Sequence, residues 1–173
     1  MEYEEKCWSS TRIRKIMHVF VTEILDCVNE LSIDPYGNYV VQSIVEHGGP
    51  HHRQTIVLKF AGRIVHMSHQ KHSSNVIEKC LKYGVYHDRN VVITEILSSA
   101  VGMITHQYVN YVVQKMIEVA VERQFNVIMD VVICNKGMLV NYTHGRHVIA
   151  HVERLNARPG FPNSLPPTPS QSV

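Results

Sequence analysis

A five-residue word that recurs every 36 residues constrains this chain more than any other feature. The word is NYVVQ at residues 38–42, SNVIE at 74–78 and NYVVQ at 110–114, and a decayed copy, RHVIA, follows at 146–150. A fixed period between about 20 and 50 residues is the signature of a solenoid, in which similar supersecondary units stack. Positions three and four stay apolar, whereas positions one, two and five of the intact copies are polar or aromatic. Each intact copy is therefore expected to bury an apolar pair and to display a polar triplet.

The same 36-residue step relates apolar positions outside the word, so the repeat extends over the whole unit. Three sets of equivalent positions are Leu31, Met67, Met103 and Leu139; Ile24, Phe60, Ile96 and Val132; and Ile56, Val92 and Ile128. Apolar spacing of i, i+4, without strict alternation, predicts helices. We expect a short helix near residues 22–31, a turn at 34–37, a helix over 38–47 that glycine and proline stop at 48–50, and another helix over 52–60.

The helix predicted over residues 38–47 is two-sided. On a helical wheel Asn38, Tyr39 and Gln42 lie within an arc of about 100°. The apolar side chains fill the opposite side of the wheel; they are Val40, Val41, Ile44 and Val45. The repeating unit is therefore predicted to be a helical hairpin with a short extra helix.

The two ends of the chain depart from the repeat. One period before the first word, residues 2–6 carry charges where the motif requires Val or Ile, so residues 1–33 are interpreted as a degenerate partial repeat that has lost its second helix. Residues 34–155 hold the repeats and the segment that ends them. Residues 156–173 are rich in proline and serine, a composition typical of disorder, and we predict a disordered tail.

Composition excludes several protein classes. The four cysteines of the 173 residues lie far apart and form no CxxC pair, which argues against a zinc ribbon and a disulfide framework. The amino terminus lacks the pattern of a signal peptide, and no apolar run approaches the length of a transmembrane helix. We therefore expect a soluble, cytoplasmic protein without membrane contact. The net charge of +2, with +3 over residues 34–155, is compatible with phosphate contacts but is too small to indicate them.

Longer words around the motif resemble a known family. GNYVVQ at 37–42, SNVIEKC at 74–80 and NYVVQKM at 110–116 are similar to the last three repeats of Pumilio-family (PUF) RNA-binding domains, and GRHVIA at 145–150 resembles the C-terminal cap of those domains. The resemblance covers residues 20–156. It implies an all-α, right-handed α-solenoid with three intact three-helix repeats, a partial N-terminal repeat and a cap. The chain resembles about the C-terminal half of such a domain.

The resemblance also implies which residues meet RNA, because PUF repeats read one base each with two or three side chains from one helix. The residues implied to contact base edges are Asn38, Gln42, Ser74, Glu78, Asn110 and Gln114. Those implied to lie between bases are Tyr39, Asn75 and Tyr111, and Arg146 and His147 of the cap are implied to lie beyond the 5′ base. Amide pairs suit uracil, whereas a carboxylate accepts from two N–H groups of guanine. With the RNA antiparallel to the protein, the implied word is 5′-UGU-3′, with which the mRNA elements of the family begin.

Each of these interpretations has a plainer alternative. Tyr39 and Tyr111 are also suited to packing between repeats. Lys71, His72 and Lys79 are equally consistent with phosphate contact and with simple solvation. Histidines are clustered at residues 51–52, 66, 69 and 72, but no HxxxH or HExxH motif with an acidic partner is present, so surface histidines are expected and no metal site. No phosphate loop, nucleophile elbow or pair of catalytic carboxylates is found, so neither an enzyme nor a cofactor is predicted.

Two functions remain open. The first is sequence-specific binding of single-stranded mRNA at UGU-containing 3′-UTR elements, in translational repression or mRNA decay, with protein co-regulators and without DNA binding. The second is a short α-solenoid scaffold that binds protein through its convex side and has little affinity for RNA. The degenerate N-terminal unit and the small charge favour the scaffold, whereas the intact polar triplets favour RNA recognition.

Overall fold

The computed structural model describes residues 12–156, and in that range the chain is helical and contains no strand. No helix in this part of the chain has the length and apolar character needed to cross a bilayer. Residues 1–11 and 157–173, which include nearly all of the predicted tail, lie outside the described residues. The helices are α1 (Arg12–Asp26), α2 (Val28–Ile33), α3 (Gly37–His47), α4 (Pro50–Phe60), α5 (Ile64–Ser68), α6 (Ser73–Tyr83), α7 (Tyr86–Leu97), α8 (Ala100–Met103), α9 (Val109–Val119), α10 (Glu122–Cys134), α11 (Lys136–Leu139) and α12 (Thr143–Asn156).

One three-helix unit repeats along the chain: a short helix, a helix that carries the five-residue word, and a third helix. The units are α2 to α4, α5 to α7 and α8 to α10; α11 and α12 form the cap, and α1 is the third helix of the partial unit. We call α3, α6, α9 and α12 the motif helices and α1, α4, α7 and α10 the third helices. The predicted all-α architecture of three-helix repeats is confirmed.

Two predicted helix boundaries need correction. The single helix expected near residues 22–31 is wrong, because α1 ends at Asp26 and α2 begins at Val28. Both segments pack on α4, but α2 packs above all on α3, and the chain changes direction at Cys27 between them. The helix expected from residue 52 begins earlier, at Pro50, because proline is well suited to the first helical position, where no N–H bond is needed.

The motif helices pack side by side in chain order, α3 on α6, α6 on α9 and α9 on α12, and these are among the most extensive helix contacts of the described residues, with those of α2 on α3 and α5 on α6. The apolar pair of the word lies in these interfaces, as predicted, and its buried members include Val76, Ile77, Val112, Val113 and Val148. Val40 is the exception, with 43% of its surface exposed. It differs from its equivalents because no motif helix is described on its outer side.

The other equivalent positions form the rest of a single continuous core. Those buried as predicted are Met67, Met103, Leu139, Phe60, Ile96, Val132, Ile56, Val92 and Ile128. Their counterparts at the N-terminal end, Ile24 and Leu31, are only partly buried. The 36-residue period therefore describes burial well within the stack and less well in the first of the described helices.

Local polar contacts fix where the third helices begin. At the third residue of α4, α7 and α10 a side chain accepts a hydrogen bond from the backbone N–H that precedes the helix, which satisfies one of the donors that a helix start leaves unpaired. The pairs are Gly49 N to His52 Nδ1 (3.2 Å), Val85 N to Asp88 Oδ2 (3.2 Å) and Val121 N to Gln124 Oε1 (3.3 Å). His52, Asp88 and Gln124 are chemically different, but at the same repeat position each caps the start of a third helix.

A carboxylate of the second unit ties its short helix to its third helix. Gly62 adopts a positive φ of 80°, which permits the tight turn between α4 and α5. The turn presents the N–H groups of Gly62 and Ile64 to the carboxylate of Glu95 on α7, each at 2.7 Å. The unit is therefore closed by charge-assisted hydrogen bonds as well as by apolar contacts.

Removing two methyl groups at the third position of the word should destabilise the protein only where that position is buried. We expect Val76→Ala to lower the free energy of unfolding by about 2 kcal/mol, from lost transfer energy and the cavity left behind. Val40→Ala makes the same chemical change at an exposed position and should cost much less. Urea unfolding of both variants measures the difference, and equal losses would contradict the assigned packing.

Candidate nucleic-acid interface

The polar positions of the three words line one surface. Helices α3, α6 and α9 each have 11 residues, and the word occupies the first two turns of each. Helices α3 and α6 are in contact, and the fifth residues of the first two words, Gln42 and Glu78, face a shared space. A cleft of about 300 Å³ lies there, lined by Gln42, Asn75, Glu78, Lys79, Lys82 and Lys115. The structure therefore brings the predicted polar residues of neighbouring repeats together.

The first and fifth residues of the first word form a bonded pair. Gln42 Nε2 donates to Asn38 Oδ1 at 2.8 Å, across one turn of α3. Asn38 Nδ2 in turn donates to the carbonyl oxygens of Asp34 and Pro35, both at 2.9 Å. Asn38 is fully buried, so the expectation that the whole triplet is displayed is wrong at this position. Its amide hydrogens satisfy carbonyls of the turn before α3, and its oxygen fixes the orientation of Gln42.

The third word repeats this arrangement. Gln114 Nε2 donates to Asn110 Oδ1 at 3.1 Å, and Asn110 Nδ2 donates to the carbonyls of His106 (3.2 Å) and Gln107 (2.7 Å). Asn110 is also fully buried, and its Nδ2 lies 3.5 Å from Nδ1 of His144 in the first turn of the cap helix α12. The two Asn/Gln pairs are therefore equivalent in structure as well as in sequence.

The middle word lacks the bond between its first and fifth residues that the other two words have. Ser74 is buried, and its hydroxyl donates to the carbonyl of Lys71 at 3.3 Å, so it does not hold the fifth residue. Glu78, partly buried in the cleft, makes no hydrogen bond or ion pair within the described residues. Burial raises the pKa of Glu78; the charge of Lys115 opposes that rise and the charge of Glu118 adds to it. An acceptor without a partner thus lies between two glutamines that are each held by an asparagine.

The second residues of the words are exposed beside the cleft. Tyr39 is 67% exposed and Tyr111 is 54% exposed, which argues against the alternative that these rings pack between repeats. Asn75 is also exposed, and its Nδ2 donates to the carbonyl of Lys71 at 3.3 Å. The rings of both tyrosines are available to a planar ligand that lies along the surface.

Two lysines of the cleft form ion pairs. Lys79 is bound to the carboxylate of Glu46 on the preceding motif helix, and Tyr83 donates to the same carboxylate. Lys115 is bound to Glu118 within α9. The charge of Lys79 is therefore committed to a contact between repeats, which weighs against its role as a free phosphate ligand. Lys71 and Lys82 are exposed, whereas His72 is partly buried, and the choice between phosphate contact and solvation for Lys71 and His72 remains a prediction.

The cap presents both predicted residues at its surface. Arg146 and His147 are exposed on the first turns of α12. Arg146 donates to the carbonyl of Val140 (3.0 Å) and to the hydroxyl of Thr143 (3.2 Å), which anchors its guanidinium close to the start of the helix. The ring of His147 lies 5.8 Å from that of His144.

Sequence reasoning missed a second cleft, between α9 and α12. Its volume is about 320 Å³, and it is lined by Gln114, Glu118, His151, Arg154 and Leu155. Three of these residues, Gln114, Glu118 and His151, are the 36-residue equivalents of residues that line the first cleft, namely Glu78, Lys82 and Lys115. Applying the period to the whole length of each motif helix, and not only to the five-residue word, would have found them.

The histidines form a row of ring contacts and no ligand cluster. The rings of His69 and His106 are 4.7 Å apart, and Tyr108 lies 5.7 Å from His106. Burial lowers the pKa of His106, and the charges of His69 and His144 lower it further. Within residues 12–156, no three His, Cys, Asp or Glu side chains converge in a way that would hold a metal ion.

Comparisons with known proteins agree with the repeat boundaries. The sequence profile of the Pumilio-family RNA binding repeat matches residues 27–59, 63–97 and 99–133. Pumilio homolog 4 of Arabidopsis thaliana is 51% identical over 47 residues, which are 27% of this chain and 5% of that protein. The chain superposes on PUF-8 in complex with PBE-RNA with a TM-score of 0.73 and 31% identity, covering 80% of this chain and 42% of PUF-8. It also superposes on the Puf3 RNA binding domain bound to the Cox17 RNA 3′ UTR recognition sequence site A. That match has a TM-score of 0.77 and 30% identity, and it covers 90% of this chain and 43% of the Puf3 chain. The chain spans less than half the length of each.

The ion pair of Glu46 with Lys79 and its hydrogen bond from Tyr83 should make the contact between α3 and α6 sensitive to acid. Lys79 first, and then Tyr83, hold the pKa of Glu46 down from 4.5 to about 2. Because the pKa of Glu46 is lower in the folded protein, its carboxylate stabilises the fold at pH values above the ordinary pKa of glutamate. This contribution is lost as the pH falls through the lowered pKa. We therefore expect Glu46→Gln to melt at a lower temperature than the wild type at neutral pH, with the gap closing towards pH 2. Asp130→Asn, an exposed change on α10, is the control; an equal gap at every pH would contradict the assignment.

Proposed function

The chain belongs to the Pumilio family of RNA-binding repeat proteins, and on that premise we propose that it binds single-stranded RNA that contains UGU, one base to each of α9, α6 and α3. The observation that carries the proposal is the alternation at the fifth position of the word. Two glutamines, each held by a buried asparagine, flank a carboxylate that has no partner among the described residues. RNA bound to PUF-8 and to the Puf3 domain in solved structures supports the same ligand class for this chain.

The glutamines suit uracil. One N–H of Gln42 is used by Asn38, which leaves its second N–H as a donor and Oε1 as an acceptor. That pair complements O4 and N3–H on the edge of uracil. Contact of Asn38 with O2 requires its amide to release one of its two backbone carbonyls. Gln114 and Asn110 offer the same groups to a second uracil.

The carboxylate suits guanine. Both oxygens of Glu78 are free to accept, and N1–H and N2–H of guanine are two parallel donors at the distance of a carboxylate fork. Uracil offers one donor between two acceptors, so it leaves one carboxylate oxygen facing an acceptor. Pairing of the raised-pKa carboxylate with two donors also offsets the cost of its burial.

The exposed side chains of the second positions complete the surface. Tyr39 and Tyr111 project beside the base-reading residues and are available to stack on bases. Stacking on three bases contributes roughly 3–9 kcal/mol before the cost of ordering the RNA, so a three-base reader alone is expected to bind weakly. We place the chain on cytoplasmic mRNA, where binding at 3′-UTR elements represses translation or promotes decay without catalysis by the chain itself.

A second candidate function, protein binding, is favoured by exposed apolar side chains on the third helices. Leu58 of α4, Tyr86 of α7 and Val127 of α10 are each about half exposed. A protein co-regulator that binds these helices leaves the cleft free, so the two functions are compatible. A scaffold without RNA recognition does not account for the carboxylate placed between the two amides.

Exchange of the middle pair should change the preferred base. We expect the wild type to prefer a UGU-containing RNA to matched UUU and ACA RNAs, and Ser74→Asn combined with Glu78→Gln to prefer UUU, because the middle word then equals its neighbours. Fluorescence anisotropy at one fixed salt concentration measures all three affinities, since phosphate contacts make binding salt-dependent. Glu122→Gln removes the same charge outside the cleft and should retain the UGU preference. Equal affinities of the wild type for the three RNAs would contradict the proposed base recognition.

The guanine contact should weaken at mild acidity. Because the pKa of Glu78 is raised above its ordinary 4.5, the carboxyl begins to gain a proton at a higher pH than an exposed glutamate does. Protonation removes one acceptor, so the preference for UGU over UUU should begin to fall while the pH is still above the ordinary pKa of glutamate. The Glu78→Gln variant should show no such change over the same range. A wild-type preference that stays constant to below the ordinary pKa of glutamate contradicts this role.

A further inference from the structure

One position of the motif helices changes the sign of its charge from unit to unit. Four residues after the fifth residue of the word, α3 has Glu46 and α9 has Glu118, whereas α6 has Lys82. We call this the flanking position, because side chains four residues apart on a helix lie side by side. The two words that end in glutamine are thus followed by a carboxylate, and the word that ends in glutamate is followed by an ammonium.

The carboxylates at the flanking position stabilise contacts between motif helices. Glu46 of α3 forms an ion pair with Lys79 of α6. Two units later the equivalent pair is Glu118 of α9 and His151 of α12, whose Nε2 lies 3.4 Å from the carboxylate. The packing of the motif helices therefore accounts for both carboxylates.

Between α6 and α9 the equivalent positions hold two lysines. Lys82 and Lys115 take the places that Glu46 and Lys79 occupy one unit earlier, so an attraction is replaced by a repulsion. Lys115 instead forms an ion pair with Glu118 of its own helix. Lys82 makes no ion pair within the described residues. The contact of α6 with α9 therefore does not account for a lysine at the flanking position.

The ammonium of Lys82 is held at the same cleft as the carboxylate of Glu78. Both side chains line the cleft of about 300 Å³, one helical turn apart on α6. Nζ of Lys82 lies 4.9 Å from the centre of the Tyr83 ring, which attracts a cation. A hydrogen bond with Tyr83 raises the pKa of Lys82, so the ammonium stays charged at neutral pH. The cleft thus offers a fixed donor next to two acceptors.

A glutamate in the word creates a need for such a donor. Glutamine both accepts from N3–H of uracil and donates to the oxygen beside it, whereas the carboxylate of Glu78 only accepts. Guanine has an acceptor on each side of its two donors, O6 beside N1–H and N3 beside the N2 amino group. A base edge that meets the first and fifth residues of a word runs along the helix, and the next side chain in that direction is the flanking one. In either orientation of guanine, an acceptor therefore faces Lys82.

We propose that Lys82 is a second guanine-reading residue, whose ammonium donates to the acceptor next to the two N–H groups that Glu78 binds. This inference rests on the proposed function, since it concerns the middle base of UGU. Together the two side chains present two acceptors and one donor, which complement two donors and one acceptor of guanine. A phosphate contact is a poorer match, because a base that enters the cleft by its Watson–Crick edge carries its phosphate on the opposite side of the nucleotide.

Fluorescence anisotropy with UGU and UUU RNAs at one fixed salt concentration tests the proposal. We expect Lys82→Met to lower the affinity for UGU about tenfold, through loss of one charge-assisted hydrogen bond, and to change the affinity for UUU little. Lys82→Arg keeps a donor and should retain most of the UGU preference. Lys136→Met removes the same charge from an exposed position outside the cleft and should leave the preference unchanged. An equal loss for both RNAs on Lys82→Met, which a phosphate contact would produce, overturns the proposal.

Base analogues at the middle position identify the acceptor. The base 6-thioguanine weakens the acceptor at position 6 and 3-deazaguanine removes N3, while both keep N1–H and the N2 amino group. The wild type should bind one of these RNAs more weakly than UGU, and Lys82→Met should not distinguish that RNA from UGU. Hypoxanthine lacks the N2 amino group that Glu78 binds, so it should weaken both proteins to the same extent. If neither of the first two analogues separates the wild type from Lys82→Met, the proposal is overturned.

Lys82→Glu separates base reading from stability. The change restores the carboxylate that Glu46 supplies one unit earlier and sets it beside Lys115, so the melting temperature should not fall. The preference for UGU over UUU should nevertheless fall further than in Lys82→Met, because a carboxylate then faces an acceptor of guanine. A variant that keeps the full UGU preference overturns the proposal.

The same measurements keep the two proposals apart. A wild type that does not prefer UGU to UUU contradicts the proposed function and this inference with it. A wild type that prefers UGU, and keeps that preference in Lys82→Met, rejects the role of Lys82 alone and leaves guanine recognition to Glu78.

Discussion

The burial of one apolar pair between successive motif helices is the contact on which the rest of the structure depends. A single three-helix unit cannot bury both faces of its motif helix, so each unit relies on the next to cover the third and fourth residues of its word. Val76 and Val112 lie within the stack and are buried, whereas Val40, beside which the described residues place no second motif helix, is exposed. Since the polar residues of the word lie on the same helices, the packing that stabilises the fold also sets their spacing.

This arrangement divides the polar triplet into supporting and exposed parts. The buried Asn38 and Asn110 satisfy carbonyls of the preceding turn and hold the glutamine one turn later, so the orientation of the glutamine is fixed before any ligand arrives. Fixing a polar group in advance lowers the entropy lost on binding. Glu78 has no such support and lies in the cleft with a raised pKa, so its position gains most from a ligand that brings two donors.

The fold could be predicted from the sequence because the strongest signal in the sequence is its 36-residue period. Helix type, unit length and the buried set that includes Phe60 and Met67 follow from equivalences at a 36-residue step. The burial of Asn38 was not readable, because a wheel places it on the polar side and takes no account of the carbonyls of Asp34 and Pro35 in the turn before the helix. The second cleft was missed for a related reason: its charged residues recur with the correct spacing but change sign from unit to unit, so they do not look like a repeat.

The packing of α3 on a single described motif helix also bears on the order of events in time. In a linear stack each unit is stabilised by its neighbours, so a unit with a neighbour on one side only opens more often than those inside. Among the described residues, α3 packs on one other motif helix, α6, whereas α6 and α9 each lie between two. With the polarity proposed above, α3 holds the 3′ base of the word. Under the proposed function, a bound RNA is therefore released first at its 3′ end, by fraying of the protein rather than by breaking of base contacts.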